Sequence, residues 1–191
     1  MVVKNLVAAA VTGMFLSVAG GPAPAAAQQP KSLVSDSVFI QRAGSVGLLQ
    51  VKLGQLAETQ GTSPAVVEFG KRMVTDYSKA NEELKAAAKA AGYPAPALLR
   101  QDPQVFDRFQ GKGRSSFDKA YMAEMVKQHR EVVRLFQGES AGGRVQTLKQ
   151  LASRMLPEME QRLSLATETA GSVGADVTAS TSKANEASGT Y

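Results

Sequence analysis

Between Ser35 and Ala170 the chain repeats one pattern four times: apolar side chains return at intervals of three and four, and each run ends at glycine or proline. That period marks an amphipathic helix with one face turned to a core. No stretch alternates apolar and polar as a half-buried strand does. Four long helices with one apolar face each close a core by packing as a bundle, so the sequence predicts an all-α chain.

The punctuation sets the helices. The first is predicted from a cap at Ser35 or a neighbour to about Thr59, with Asp36 in its first turn, where negative charge suits the dipole. Its seam is Phe39, Ala43, Val46, Leu53 and Ala57. Gly44, Gly47 and Gly54 each cost up to about 1 kcal/mol of helix propensity against alanine, so this helix needs neighbours that come close. Gly61 ends it. Ser63-Pro64 opens the second, with proline at the first helical position, and Gly92-Tyr93-Pro94 stops it after Ala91. Its seam reads Val66, Gly70, Met73, Tyr77, Ala80, Leu84, Ala87, and its lysines and glutamates form a solvated face. The third helix, capped by Ser115 or Ser116, covers Phe117 to near Gly138 with Met122, Met125, Val132, Val133 and Phe136 inward. After Gly142-Gly143 the fourth runs from about Arg144 to Ala170 through Leu148, Ala152, Met155, Met159 and Ala166. Pro157 removes one backbone hydrogen bond inside it and should bend it.

The connection from Tyr93 to Ser116 is long enough to cross the length of a bundle. A short extra helix, Pro103 to Gln110, is expected inside it, burying Val105, Phe106 and Phe109. The tract Gly111 to Ser116 puts glycines and basic residues ahead of a helix, as anion sites do. It lacks the phosphate-loop spacing and reads as an ordinary loop.

The chain begins MVVKNLVAAAVTGMFLSVAGGPAPAAAQQ: one lysine, an uncharged apolar run from Leu6 to Ala19, then small residues ending at Ala27. This is the layout of a secretory signal peptide over residues 1–27, cleaved after Ala27, with an uncleaved anchor as the rival reading. The apolar run is shorter than the roughly 20 residues a membrane span needs. The mature chain is then periplasmic or secreted, without a stable membrane span, and its loss of Lys4 lowers the net charge of +5 by one. An exported chain without cysteine must be held by packing alone, and thiolate metal sites and thiol catalysis are excluded. The helical domain is expected over residues 32–170 and a disordered C-terminal tail over 171–191, where no apolar period remains.

Each seam has one polar interruption near its middle: Gln50, Tyr77, His129 and Arg162. Bundles build metal sites from inward side chains at that level. The donors are wrong for one. An amide, a phenol, a single imidazole and a permanent cation replace the carboxylates and imidazoles that iron or manganese takes. One histidine also forbids the two-histidine zinc motif, and no serine and aspartate arrangement signals a triad around it. The expected arrangement is a buried polar cluster in which Gln50, Tyr77 and His129 hydrogen-bond one another and Arg162 reaches an acid or the rim. Met122, Met125, Met155 and Met159 read as core filler rather than a copper(I) site. The basic excess has no interleaved aromatics and no nucleic-acid module, so nucleic acid is not an expected partner.

The tracts Asp36-x-x-Phe39, Gly47-x-x-x-Val51-x-x-Gly54-x-x-Ala57, Phe69-x-x-x-Met73-Val74-x-Asp76, Phe117-Asp118-x-x-Tyr121 with His129, and Leu156-Pro157 resemble, in that order, the exported bacterial family called domain of unknown function 4142. The resemblance covers about Ser32 to Ala170. It implies a ferritin-like antiparallel four-helix bundle, usually periplasmic. It further implies glutamate where this chain has Gln50, and histidine where it has Tyr77 and Arg162; only His129 keeps the family pattern. The expected function is therefore non-catalytic: an exported bundle with a degenerate metal site, binding an envelope protein or small ligand or serving a structural role, alone or as an oligomer. The alternative is a periplasmic metal-binding or redox protein that holds a transition metal ion through His129 and nearby carboxylates such as Glu124.

Overall fold

In a computed structural model of the chain, residues 35–178 are described and form five helices, with no strand among them. They are α1 (Asp36–Gln60), α2 (Pro64–Ala90), α3 (Asp102–Gln110), α4 (Arg114–Gly142) and α5 (Gln146–Ser172). The signal segment 1–27, its cleavage site and residues 179–191 of the expected tail lie outside the described residues. No helix among those described is long and apolar enough to cross a membrane.

The long helices pair as two hairpins, α1 with α2 and α4 with α5, and the hairpins meet through α1 against α4 and α2 against α5. Hydrogen bonds at the two ends give the directions. The start of α1 meets the α4–α5 turn, where Asp36 accepts from the N–H groups of Arg144 and Val145. The end of α1 meets the start of α4, where Arg114 donates to the Thr59 carbonyl. Contacting neighbours thus run antiparallel, and the connection from α2 to α4 must travel the full length of the molecule. It lies along α1: Pro96 sits on Gly44, Leu99 and Asp102 bond Ser45, and the Gln110 carbonyl accepts from Gln60.

Apolar side chains fill the interior in two clusters. One, toward the α1–α2 turn, is built around Leu53, Phe69, Phe117 and Tyr121; the other, toward the α4–α5 turn, around Phe39, Leu84, Phe136 and Leu148. Each such side chain contributes roughly 1.5–3 kcal/mol on leaving water. The α1 and α2 backbones touch at Gly54 and Gly70, where an added Cβ on either would stand 2.7 Å from the other's carbonyl oxygen. The glycines that weaken α1 as a helix are therefore what allows α2 to approach it.

Several boundaries differ from the sequence reading. Helix α4 starts at Arg114, because the Ser116 hydroxyl turns to the Gly113 carbonyl inside the first turn instead of capping Phe117. It runs on to Gly142, and α5 begins only at Gln146, since Arg144 and Val145 give their N–H groups to Asp36. Helix α5 passes Pro157 unbroken and continues to Ser172, after which Val173, Ala175 and Val177 pack back on the core. Val46 is only half-buried, facing the connection rather than the centre, and Leu49 takes the inward place. Of the three residues expected under α3, Phe109 is buried and Val105 and Phe106 are half-buried.

Candidate functional site

The seams of α2, α4 and α5 bring Tyr77, His129 and Arg162 together at mid-height. His129 is wholly buried, its ring edge-on to Phe69 at 6.1 Å and to Tyr77 at 5.8 Å between centroids. Its Nδ1 lies 2.8 Å from the Met125 carbonyl oxygen, an acceptor only, so Nδ1 carries the hydrogen. Nε2 is left with a lone pair and no partner among the described residues. Burial, with the Arg162 charge, pulls the ring's pKa down to about 4 against the opposing Met125 bond, so the imidazole is neutral. The Tyr77 hydroxyl is also buried and has no partner among the described residues, and burial pushes its pKa well up.

Arg162 closes the cluster. Its guanidinium carbon stands 5.1 Å above the Tyr77 ring centroid, a cation held on an aromatic face. The side chain is 6 % exposed, and its donors leave the core sideways: Nε to Asp76 at 3.3 Å, Nη2 to Glu158 at 3.1 Å and Nη1 to the Met159 sulfur at 3.2 Å. The buried stem with its head at partly exposed carboxylates is how a long cation avoids full desolvation. Glu158 is four residues before Arg162 and was legible from helical spacing; Asp76 lies on another helix and was not.

Gln50 stands apart from this stack in its bonding. Its amide donates to Gln128 at 2.8 Å, and Gln128 donates in turn to Glu124 at 2.9 Å. The hydrogen bonds expected between Gln50, Tyr77 and His129 are not formed. The two rings meet edge to face, the Tyr77 face is taken by Arg162, and the His129 proton goes to its own helix, so no polar tip is aimed at another. Gln128, absent from the sequence reading, is the partner that Gln50 finds.

The donor set does not fit a metal ion. One neutral imidazole nitrogen is available, the neighbouring side chain is a guanidinium, and the nearest acids are turned outward to that guanidinium. Among the described residues no three His, Cys, Asp or Glu side chains gather in one place. Glu124 is half-buried and directed to Gln128. The methionines divide between the two core clusters, Met122 and Met125 in one, Met155 and Met159 in the other.

A cavity of about 260 Å³ opens where the connection passes over α1 and α4. Val46, Leu49, Val132 and Leu135 give it apolar walls, while Gln128, Glu124 and Glu131 line it with Arg42 and Lys127 as polar and charged groups. Buried Asp102 holds the roof by bonding the Ser45 hydroxyl and the Leu99 N–H. The polar chain Gln50–Gln128–Glu124 thus leads from the core to this cavity. One sign of it was legible beforehand: a connection too long for a turn.

No curated protein and no solved structure matches the chain. A family profile described as "Domain of unknown function (DUF4142)" matches residues 21–169, a span that holds the central stack and the residues of the cavity. The chain belongs to the DUF4142 family.

Proposed function

We propose that the protein is an exported, non-catalytic, ferritin-like bundle that works in the cell envelope as a binding or structural module, with a central site that has given up its metal ligands. The observation that carries this reading is Arg162 on the Tyr77 ring beside His129. A fixed cation at that level repels a metal ion, and the neutral, desolvated imidazole and phenol next to it are held by ring packing. A ferritin-like arrangement is favoured by the single long crossover between two antiparallel hairpins. Binding is favoured by the cavity beneath that crossover, whose apolar walls and charged and amide side chains of both signs suit a small amphipathic molecule.

One observation favours the second reading, a metal or redox protein using His129: the Nε2 lone pair is free, as a ligand nitrogen must be. The two are separated by metal content of untagged protein after incubation with iron, manganese, copper and zinc salts. Less than a tenth of an equivalent, on the order of adventitious binding, supports the degenerate site. A stoichiometric ion lost in His129→Ala supports the second reading instead.

A further inference from the structure

The two hairpin turns are built alike. Gly61 (φ −57°, ψ 137°) ends α1 and Gly143 (φ −58°, ψ 142°) ends α4, and the residue two places on, Ser63 or Val145, caps the next helix with φ −82° in both. Neither Ser63 nor Val145 makes a side-chain cap of its own. Instead an aspartate from the first or second turn of the opposite hairpin accepts the free N–H groups: Asp118 takes those of Thr62 and Ser63, and Asp36 those of Arg144 and Val145.

The turns differ at one buried position. Gly61 N–H donates to the carbonyl of Ala57, and Gly143 N–H donates to the carbonyl of Glu139. Alanine serves at the first turn, so the turn itself does not require an acid. Glu139 is nonetheless 0 % exposed, and neither of its oxygens meets an N–H or O–H donor among the described residues. Its carboxyl lies against Gly143, next to the Arg144 and Val145 N–H groups that Asp36 accepts, so the Asp36 carboxyl from α1 faces it, with Lys149 of α5 as the neighbouring cation and the lysine's ammonium bonded to the Ala141 carbonyl. Two carboxylates cannot both ionise at contact in a buried joint without a large cost, whereas one shared proton turns the contact into a hydrogen bond.

We infer that Asp36 and Glu139 share a single proton and make the α1/α4–α5 end of the bundle a pH-sensitive joint, clasped when the proton is present and loosened when it leaves. Asp36 is the anion of the pair: burial works against its charge, but the Val145 and Arg144 N–H groups and the Glu139 hydrogen bond together bring its pKa below the ordinary value. Glu139 is the acid: burial first, then the Asp36 hydrogen bond and charge, raise its pKa from 4.5 to about 7. Its contribution to stability is therefore full below its unfolded value and lost as pH rises through about 7. The other end has Ala57 at the equivalent position.

The test compares urea unfolding of the full chain and of Glu139→Gln between about pH 5 and pH 8. The ratio of their unfolding constants isolates Glu139 from His129, whose dependence has the opposite sign. That ratio is expected to shift against the wild type by at least about tenfold across the range. A ratio constant within about twofold overturns the inference. Should Glu139→Gln fail to fold, Glu139→Ala copies the working Ala57 arrangement. Carboxyl carbon NMR of the wild type gives a second reading: a Glu139 midpoint near 7 supports the shared proton, and one below about 5 overturns it.

Discussion

Replacing Gly70 by alanine tests whether the two halves of the first hairpin are in backbone contact. In an isolated helix the change is favourable by up to about 1 kcal/mol. Here the new Cβ would lie 2.7 Å from the Gly54 carbonyl oxygen and 2.8 Å from the Ala57 Cβ, where ordinary contacts begin at 3.4 Å. Neither neighbour is the end of a flexible side chain, so α1 and α2 must move apart by several tenths of an ångström along their whole contact. Overpacking of this kind costs about 1–3 kcal/mol, which outweighs the propensity gain. The net expectation is a loss of roughly 1–2 kcal/mol in urea unfolding with an unchanged slope. Gly171, in α5 with nothing within 4 Å, is the control: alanine there should stabilise by a few tenths to about 1 kcal/mol. Gly70→Ala as stable as the wild type, or more so, would refute the close approach.

Asp118→Ala removes the acceptor of the Thr62 N–H, the Thr62 hydroxyl and the Ser63 N–H, and should cost about 2 kcal/mol in the same assay; a loss under about 0.5 kcal/mol speaks against capping across hairpins. His129 is neutral when buried, with its pKa depressed to about 4. Its contribution is thus present above 6.5, its ordinary value, and fades as pH falls through 4, by on the order of 3 kcal/mol. His129→Phe should flatten that acid limb of the stability profile. Arg162→Met should raise the His129 pKa, since the guanidinium lowers it, while changing stability by less than about 1.5 kcal/mol, because Asp76 and Glu158 are partly exposed and water can take over from the lost cation. Val46→Phe should fill the cavity under the connection and weaken binding of a small amphipathic fluorophore by at least about tenfold.

What the sequence made legible was what local periodicity encodes. The seam residues of α2, α4 and α5, including Tyr77, His129 and Arg162, are all buried, because a three-four spacing fixes which side of a helix faces in. The α1 glycines pointed to close neighbours, which are Pro96, Asn81 and the backbone at Gly70. Pairings between distant elements left no such trace. Asp36 reads as a favourable first-turn charge and Asp118 has no role that local spacing assigns, yet each caps a helix of the other hairpin. Glu139 continues the α4 seam three residues past Phe136, but nothing in that spacing names the Asp36 carboxyl it meets once the α1 start docks. Gln50 was seen as inward, but its partner depends on the crossing of α1 and α4, which no residue spacing within α1 specifies.

His129 is the chain's only histidine, so its two ring nitrogens give an unambiguous pair of imidazole signals in 15N NMR. With Arg162 beside it and a carbonyl on Nδ1, the ring should stay neutral, with the hydrogen on Nδ1, from about pH 5 upward. Both signals should also be unmoved by excess zinc or manganese. A metal-induced shift or broadening of Nε2 would contradict the lost site.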